Sequence, residues 1–174
     1  MDQLWAPWRM AYINSGGTSD GGCIFCVKPQ QRDDEQNLIV WRSERCFALM
    51  NLYPYNNGHL MIAPYEHVPS ISELDSATLT DMMLTVQRCL AALDAAFHPH
   101  GYNMGINQGT IAGAGIADHT HFHVVPRWNG DTNFMPVLGN VKVMPEFLQT
   151  TQHQIREQLV AQARANGEAV DGDG

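Results

Sequence analysis

Residues 119–128 read HTHFHVVPRW, and these three alternating histidines constrain the fold of the chain more than any other feature. Side chains along an extended strand alternate between faces, so His119, His121 and His123 would share one face, with Thr120, Phe122 and Val124 on the other. Imidazoles placed in this way follow one another at about 6.5–7 Å along the strand.

The rest of the chain offers a sheet to hold such a strand. LIVWR, CFALMN and HLMIAPY (from residues 38, 46 and 59) read as neighbouring antiparallel strands, the last two separated by the turn YPYNNG with its Asn-Gly pair. YNMGIN (102–107) and HTHFHVVP (119–126) are two further strands. They are joined by QGTIAGAGIAD, whose Gly109, Gly113 and Gly115 let the backbone bend tightly or approach a ligand closely. Between residues 72 and 97, Leu79, Met82, Met83, Val86, Leu90, Leu93 and Phe97 recur at helical spacing, and Pro99 with Gly101 ends the run. A last helix fits 145–166, with Pro145 near its start and Asn166-Gly167 at its end. The inventory of about five short strands, a long helix inserted among them and a C-terminal helix gives an expected α+β domain, with one sheet face covered by the long helix and the other partly open.

A chain of 174 residues fits one domain with a sizeable core. Residues 1–166 are expected to form it, with an N-terminal segment to about residue 36, and 167–174 to be a disordered acidic tail carrying Glu168, Asp171 and Asp173. A formal net charge of −8 argues against nucleic acid as a partner, since a broad basic surface is missing. No run of about 18 apolar residues occurs, and MDQLWAPWRM lacks the basic and apolar regions of a secretory signal. The expectation is a cytoplasmic protein without a membrane span.

Cys46 and Cys89 lie in apolar surroundings and read as buried thiols. Cys23 and Cys26 differ, because CIFC is bracketed by the polar, turn-rich NSGGTSDGG and KPQQRDDEQN and must be tied down from outside. Their two-residue gap lets both thiolates bind one tetrahedral zinc, yet supplies only half a coordination set, and spacing alone leaves redox activity or coincidence open.

A single strand histidine is usually structural or solvated, but three on one face point to chemistry. Neutral imidazole suits nucleophilic attack on phosphorus at neutral pH, flanking histidines can hold the non-bridging oxygens, and backbone N–H groups of a glycine-rich loop can do the same.

His119-Thr-His121-Phe-His123-Val-Val resembles the histidine triad (HIT) motif, His-φ-His-φ-His-φ-φ with φ apolar. The resemblance extends to CFALMN, GHLMIAP and YNMGINQG in order, and NLYPYNNGHLMIAPY, HFHVVPRWNGDTNF and LWAPWRMAYI are most similar to the diadenosine tetraphosphate (Ap4A) phosphorylase-like subgroup. What this implies is a HIT-like fold with a five-stranded antiparallel sheet, a homodimer, and nucleotidyl transfer on dinucleoside polyphosphates with inorganic phosphate or water as acceptor. By the resemblance, His121 is the nucleophile that forms a nucleotidyl-histidine, and His123 contacts the phosphate and assists the leaving group. His59 would complete the phosphate pocket, and Asn51 and Asn107 match nucleotide-contacting positions. Capping a turn is the plainer role for either asparagine.

Members that carry an N-terminal Cys pair complete a zinc site with a His after the GHL strand and the first triad His. Here those are His67 and His119, so a structural zinc on Cys23, Cys26, His67 and His119 is implied. One departure concerns the Gly-Gln-Ser/Thr-Val that many members place before the triad: this chain has Gly113-Ala-Gly115-Ile. Thr110 or backbone N–H groups from Gly113 to Gly115 would have to replace the missing donors. Trp128 borders the expected pocket and is a candidate nucleotide contact, although Trp there, like Arg127, Trp5, Trp8, Arg9 and Tyr12, more commonly packs or forms an oligomer contact. His98, His100 and His153 match nothing and read as surface residues. Two other functions remain: a HIT-type hydrolase of dinucleoside polyphosphates or nucleoside phosphoramidates, and a nucleotide-binding adaptor with residual turnover.

Overall fold

A computed structural model describes residues 22–132 and 146–168. Trp5, Trp8, Arg9, Tyr12, Pro145, Asp171 and Asp173 lie outside the described residues. The chain runs α1 (Ile24–Val27), β1 (Ile39–Arg42), β2 (Cys46–Met50), β3 (Leu60–Pro64), α2 (Ser76–Phe97), β4 (Gly101–Ile106), β5 (Phe122–Arg127) and α3 (Leu148–Ala165), with short 3-10 turns at Lys28–Gln31 and Ile71–Glu73. The strands form one antiparallel sheet in the order β1-β2-β3-β5-β4, so the hairpin that follows α2 inserts β5 beside β3 and leaves β4 at the edge.

Alternation along the strands divides the core in two. Cys46, Ala48 and Met50 of β2, Leu60 and Ile62 of β3 and Val124 of β5 face Met82, Val86, Cys89 and Leu93 of α2 and Ile155 and Leu159 of α3. Phe47, Leu49, Met61 and Ala63 face the other way and meet Phe25 of α1, so a single helical turn covers part of the second face. Burial pushes the Cys46 and Cys89 thiols up to about 12, which keeps them neutral.

Two of the boundaries that differ from those read in the sequence have a local physical cause. The long helix begins at Ser76 rather than Ser72, because Asp75 is its N-cap, accepting from the Thr78 N–H at 2.6 Å. The triad strand begins at Phe122, the residue paired with Ile62 and Ile106. Further back the ladder would meet Pro64, which has no N–H to offer, and the Thr120 N–H donates instead to the carbonyl of Val68. Only His123 of the three histidines is therefore in regular strand. At its C-terminus α3 stops as expected, with Asn166 capping and Gly167 left-handed.

Gly58, just before β3, is a glycine whose replacement would be costly. Its φ is +69°, and a Cβ there would stand 3.0 Å from Leu93 and 3.4 Å from Pro126. It sets the entry of His59. No helix among the described residues is long and apolar enough to cross a membrane.

Candidate functional site

His59, His67, His119, His121 and His123 gather on the side of the sheet that carries Phe25 and form two adjoining groups. In the first, Cys23 and Cys26 of the α1 turn approach His67, which follows β3, and His119, at the end of the β4–β5 connection. Cys23 Sγ lies 3.4 Å and Cys26 Sγ 3.6 Å from His119 Nδ1, Cys26 Sγ lies 3.3 Å from His67 Nδ1, and the two Nδ1 atoms are 3.2 Å apart. All four ligand atoms fall within 4.8 Å of one another.

The fit of a metal to this donor set can be tested from the other side of the His119 ring. Its Nε2–H donates to the carbonyl of Pro64 at 2.9 Å, so in the neutral ring Nδ1 carries the lone pair and points at the sulfurs and at His67. His119 is fully buried, and burial holds its pKa down at about 4. Burial, followed by the neighbouring Cys23, raises the thiol of Cys26. Two thiols and an unprotonated imidazole nitrogen crowded together want a cation. Tetrahedral zinc with bonds of about 2.0–2.3 Å separates its ligand atoms by roughly 3.3–3.8 Å, close to these four distances of 3.2–3.6 Å.

In the second group the backbone makes the opposite choice of nitrogen. His121 donates its Nδ1–H to the carbonyl of His119 at 2.9 Å, which leaves the lone pair on Nε2. The ring is nearly buried, and burial lowers its pKa below the usual histidine value, so it stays neutral. His123 lies beside it edge-on, with ring centroids 4.8 Å apart. His59 Nδ1 accepts from the Tyr55 N–H at 3.0 Å, so its proton is on Nε2, which donates to His123 Nδ1 at 2.9 Å. The proton of a neutral His123 is thereby fixed on Nε2. Two rings thus present opposite functions side by side: His121 an acceptor, His123 a donor.

A clamp outside the histidines holds this group. Asp131 accepts from Arg127 Nε at 2.6 Å and Nη2 at 2.9 Å, from the Trp128 N–H and from Asn56 Nδ2 at 2.8 Å. It ties the end of β5 to the turn that precedes His59. Hydrogen bonding to Arg127 holds the Asp131 carboxyl at about 2.

The remaining residues expected at the site are placed as follows. Asn51 makes the turn it was alternatively assigned, its Oδ1 accepting from the Tyr53 N–H at 2.9 Å, with its amide 3.5 Å from His59 Nδ1. Asn107 follows directly on β4 and is half-buried. In the glycine-rich connection the Gly113 N–H donates to the carbonyl of Thr110 and the Ala114 N–H to that of Gly109, so these two donors are engaged within the loop, while Gly115 and Thr110 are exposed. Trp128 is not brought to the histidines, as its indole Nε1 donates to the carbonyl of Phe97 at the end of α2. His59 is fully buried with both ring nitrogens engaged by the protein, and it supports His123. His98 and His100 are exposed, and exposed His153 pairs with Glu157.

Two participants escaped the sequence reading. Phe25 lies under both His119 and His121, and Tyr55 stacks on His59 with ring centroids 4.7 Å apart. The position of Phe25 between two candidate ligands was the available signal. For Tyr55 none was available, because its contribution includes a backbone N–H.

A HIT domain family model matches residues 32–130, which leaves Cys23 and Cys26 just outside it. The chain is 36% identical over 169 residues to an AP-4-A phosphorylase of Mycobacterium tuberculosis, covering 93% of this chain and 86% of that protein. It is 34% identical over 92 residues to a bis(5'-adenosyl)-triphosphatase of Dictyostelium discoideum, covering 53% of this chain and 61% of that protein. Among solved structures, a Zn-bound histidine triad family protein from Mycobacterium smegmatis shares the fold with a TM-score of 0.66 and 23% identity, over 84% of this chain and 99% of that one.

Proposed function

The chain belongs to the HIT domain family, as an enzyme of its Ap4A phosphorylase-like subgroup, and we propose that it transfers a nucleotidyl group from a dinucleoside polyphosphate through a nucleotidyl-His121 intermediate. The net reaction of this reading is phosphorolysis of Ap4A to ADP and ATP. It is carried by one observation: the carbonyl of His119 accepts a hydrogen bond from the Nδ1–H of His121, which leaves an unprotonated Nε2 beside the protonated Nε2 of His123.

His121 Nε2 attacks an α-phosphorus, an N–P bond forms, and the bond to the bridging oxygen breaks with its electron pair leaving on ATP. The imidazole becomes cationic as it is nucleotidylated, and the His119 carbonyl accepting from Nδ1–H stabilises that charge. His123 Nε2–H donates to the departing or a non-bridging oxygen, in an orientation set by His59. Phosphate then attacks the nucleotidyl-His121, releasing ADP and restoring the ring. With water as acceptor the second product is AMP, the outcome that the similarity to a triphosphatase keeps in view.

Cys23, Cys26, His67 and His119 would hold a zinc ion. Four protein ligands leave no position for a reacting water, so its contribution is structural: it ties the α1 turn to the sheet and fixes the segment whose carbonyl orients His121. The reading includes a homodimer in the cytoplasm. Support for the dimer comes from β4, which ends the sheet with an edge unpaired among the described residues.

Anion-exchange analysis of the products from Ap4A, with and without inorganic phosphate and beside His121→Ala, tests the reading. ADP plus ATP, dependent on phosphate and on His121, is expected. AMP plus ATP irrespective of phosphate would make the protein a hydrolase, and equal turnover by His121→Ala would remove the intermediate.

A further inference from the structure

The CIFC turn contributes more than its two cysteines. Phe25 lies between them, is 0% exposed, and is the α1 member of the cluster with Ile39, Phe47, Leu49, Met61 and Ala63. Its ring centroid is 4.7 Å from that of His121 at an interplanar angle of 37°, and 5.2 Å from that of His119. The same ring therefore touches a metal ligand and the nucleophile.

We propose that Phe25 is a positioning residue for His121, the side chain through which the metal-binding turn fixes the plane of the nucleophilic ring. The proposal rests on the reading of His121 as the nucleophile. A ring held by one hydrogen bond, from Nδ1–H to the His119 carbonyl, can still tilt about that bond. Tilting swings the Nε2 lone pair away from the line of attack, and in-line displacement at phosphorus depends on that alignment. His123 meets His121 edge-on at 72° and restrains it from one side. Phe25 supplies a broad aromatic surface from another, and is itself held by full burial among Ile39, Phe47, Leu49, Met61 and Ala63. Simple core filling would be satisfied by any apolar side chain of similar volume. Holding the plane of an imidazole calls for a flat ring.

Phe25→Leu and Phe25→Met separate the two roles, since both keep an apolar, space-filling side chain and remove the ring. Should the leucine variant fail to fold, the more adaptable methionine carries the test. Three quantities are read on each: zinc bound per chain, kcat and KM with Ap4A, and the order of the His121 ring by 13C relaxation of its C–H groups without substrate. The expected result is unchanged zinc, KM within about twofold, kcat lower by about 10- to 100-fold, and a more mobile His121 ring. A kcat within twofold of wild type with an equally ordered ring would overturn the proposal. So would a loss of kcat in proportion to zinc lost, which would confine Phe25 to the metal site. Absence of any turnover by the wild-type protein would instead count against the functional reading, and the ring-order measurement would still decide the role of Phe25.

Discussion

His119 and His121 are two residues apart, both buried, both neutral, and both hydrogen-bonded to a backbone carbonyl, yet they face different chemistry. His119 gives its Nε2–H to Pro64 and turns Nδ1 toward two cysteines and His67. His121 gives its Nδ1–H to His119, which leaves the lone pair on Nε2. The difference teaches that the role of an imidazole is assigned by the nearest carbonyl, not by its place in a run of histidines. The two ends are also linked, because the carbonyl that sets His121 belongs to the residue that would bind the metal.

Separating the ends experimentally should give effects of very different size. Removing the nucleophile with His121→Ala is expected to lower nucleotidyl transfer about 10⁴-fold or more while leaving zinc content unchanged, measured by single-turnover kinetics and metal analysis. Loss of zinc in that variant would show that the two ends are not separable. His59→Ala removes the donor that holds the proton of His123 on Nε2, and kcat should fall about 10- to 100-fold with KM and zinc little changed. An unaltered kcat would mean that His123 needs no orienting partner.

The metal end is read best in stability. Replacing Cys23 and Cys26 together by Ser should abolish zinc binding and lower Tm by about 10 °C, as the α1 turn loses its anchor to the sheet. An unchanged Tm would mean that packing of Phe25 holds the turn without a metal. The smallest effect concerns the clamp beneath the reactive end. The folded carboxyl of Asp131 titrates at about 2 and the unfolded one near 3.9, so its stabilisation is present above the unfolded value and is lost as pH falls toward 2. Asp131→Asn should lower Tm by about 2–4 °C at pH 7, and the gap should close between pH 4 and 2. A gap that persisted at pH 2 would exclude the carboxylate charge as its cause.

Much of the fold was legible because it follows from periodicity. CFALM reads as an apolar strand and all five of its residues are buried, and of the helical run from Leu79 to Phe97 the structure buries Met82, Val86 and Leu93 while Leu79 and Met83 are exposed. The metal cluster was legible as ligand types and spacing, and became a definite set only through resemblance to a family. What could not be read depends on contacts far apart in sequence that involve backbone atoms. The choice of nitrogen on His119 is made by a carbonyl 55 residues away. Pro64 and Val68 stop the triad strand at Phe122, which no pattern within HTHFHVV encodes. The glycine-rich loop shows the same dependence, since the Gly113 and Ala114 N–H groups are engaged once the loop closes on Thr110 and Gly109.

The central claim, that one run of histidines is divided between a metal and a phosphorus nucleophile by opposite tautomers, is tested most directly by long-range 1H–15N NMR of the zinc-loaded, histidine-labelled protein. The pattern for His119 should show a protonated Nε2 with Nδ1 in the metal-bound range, and that for His121 a protonated Nδ1 with an unprotonated Nε2. If His121 were protonated on Nε2, or if both rings gave the same pattern, the division described here would be contradicted.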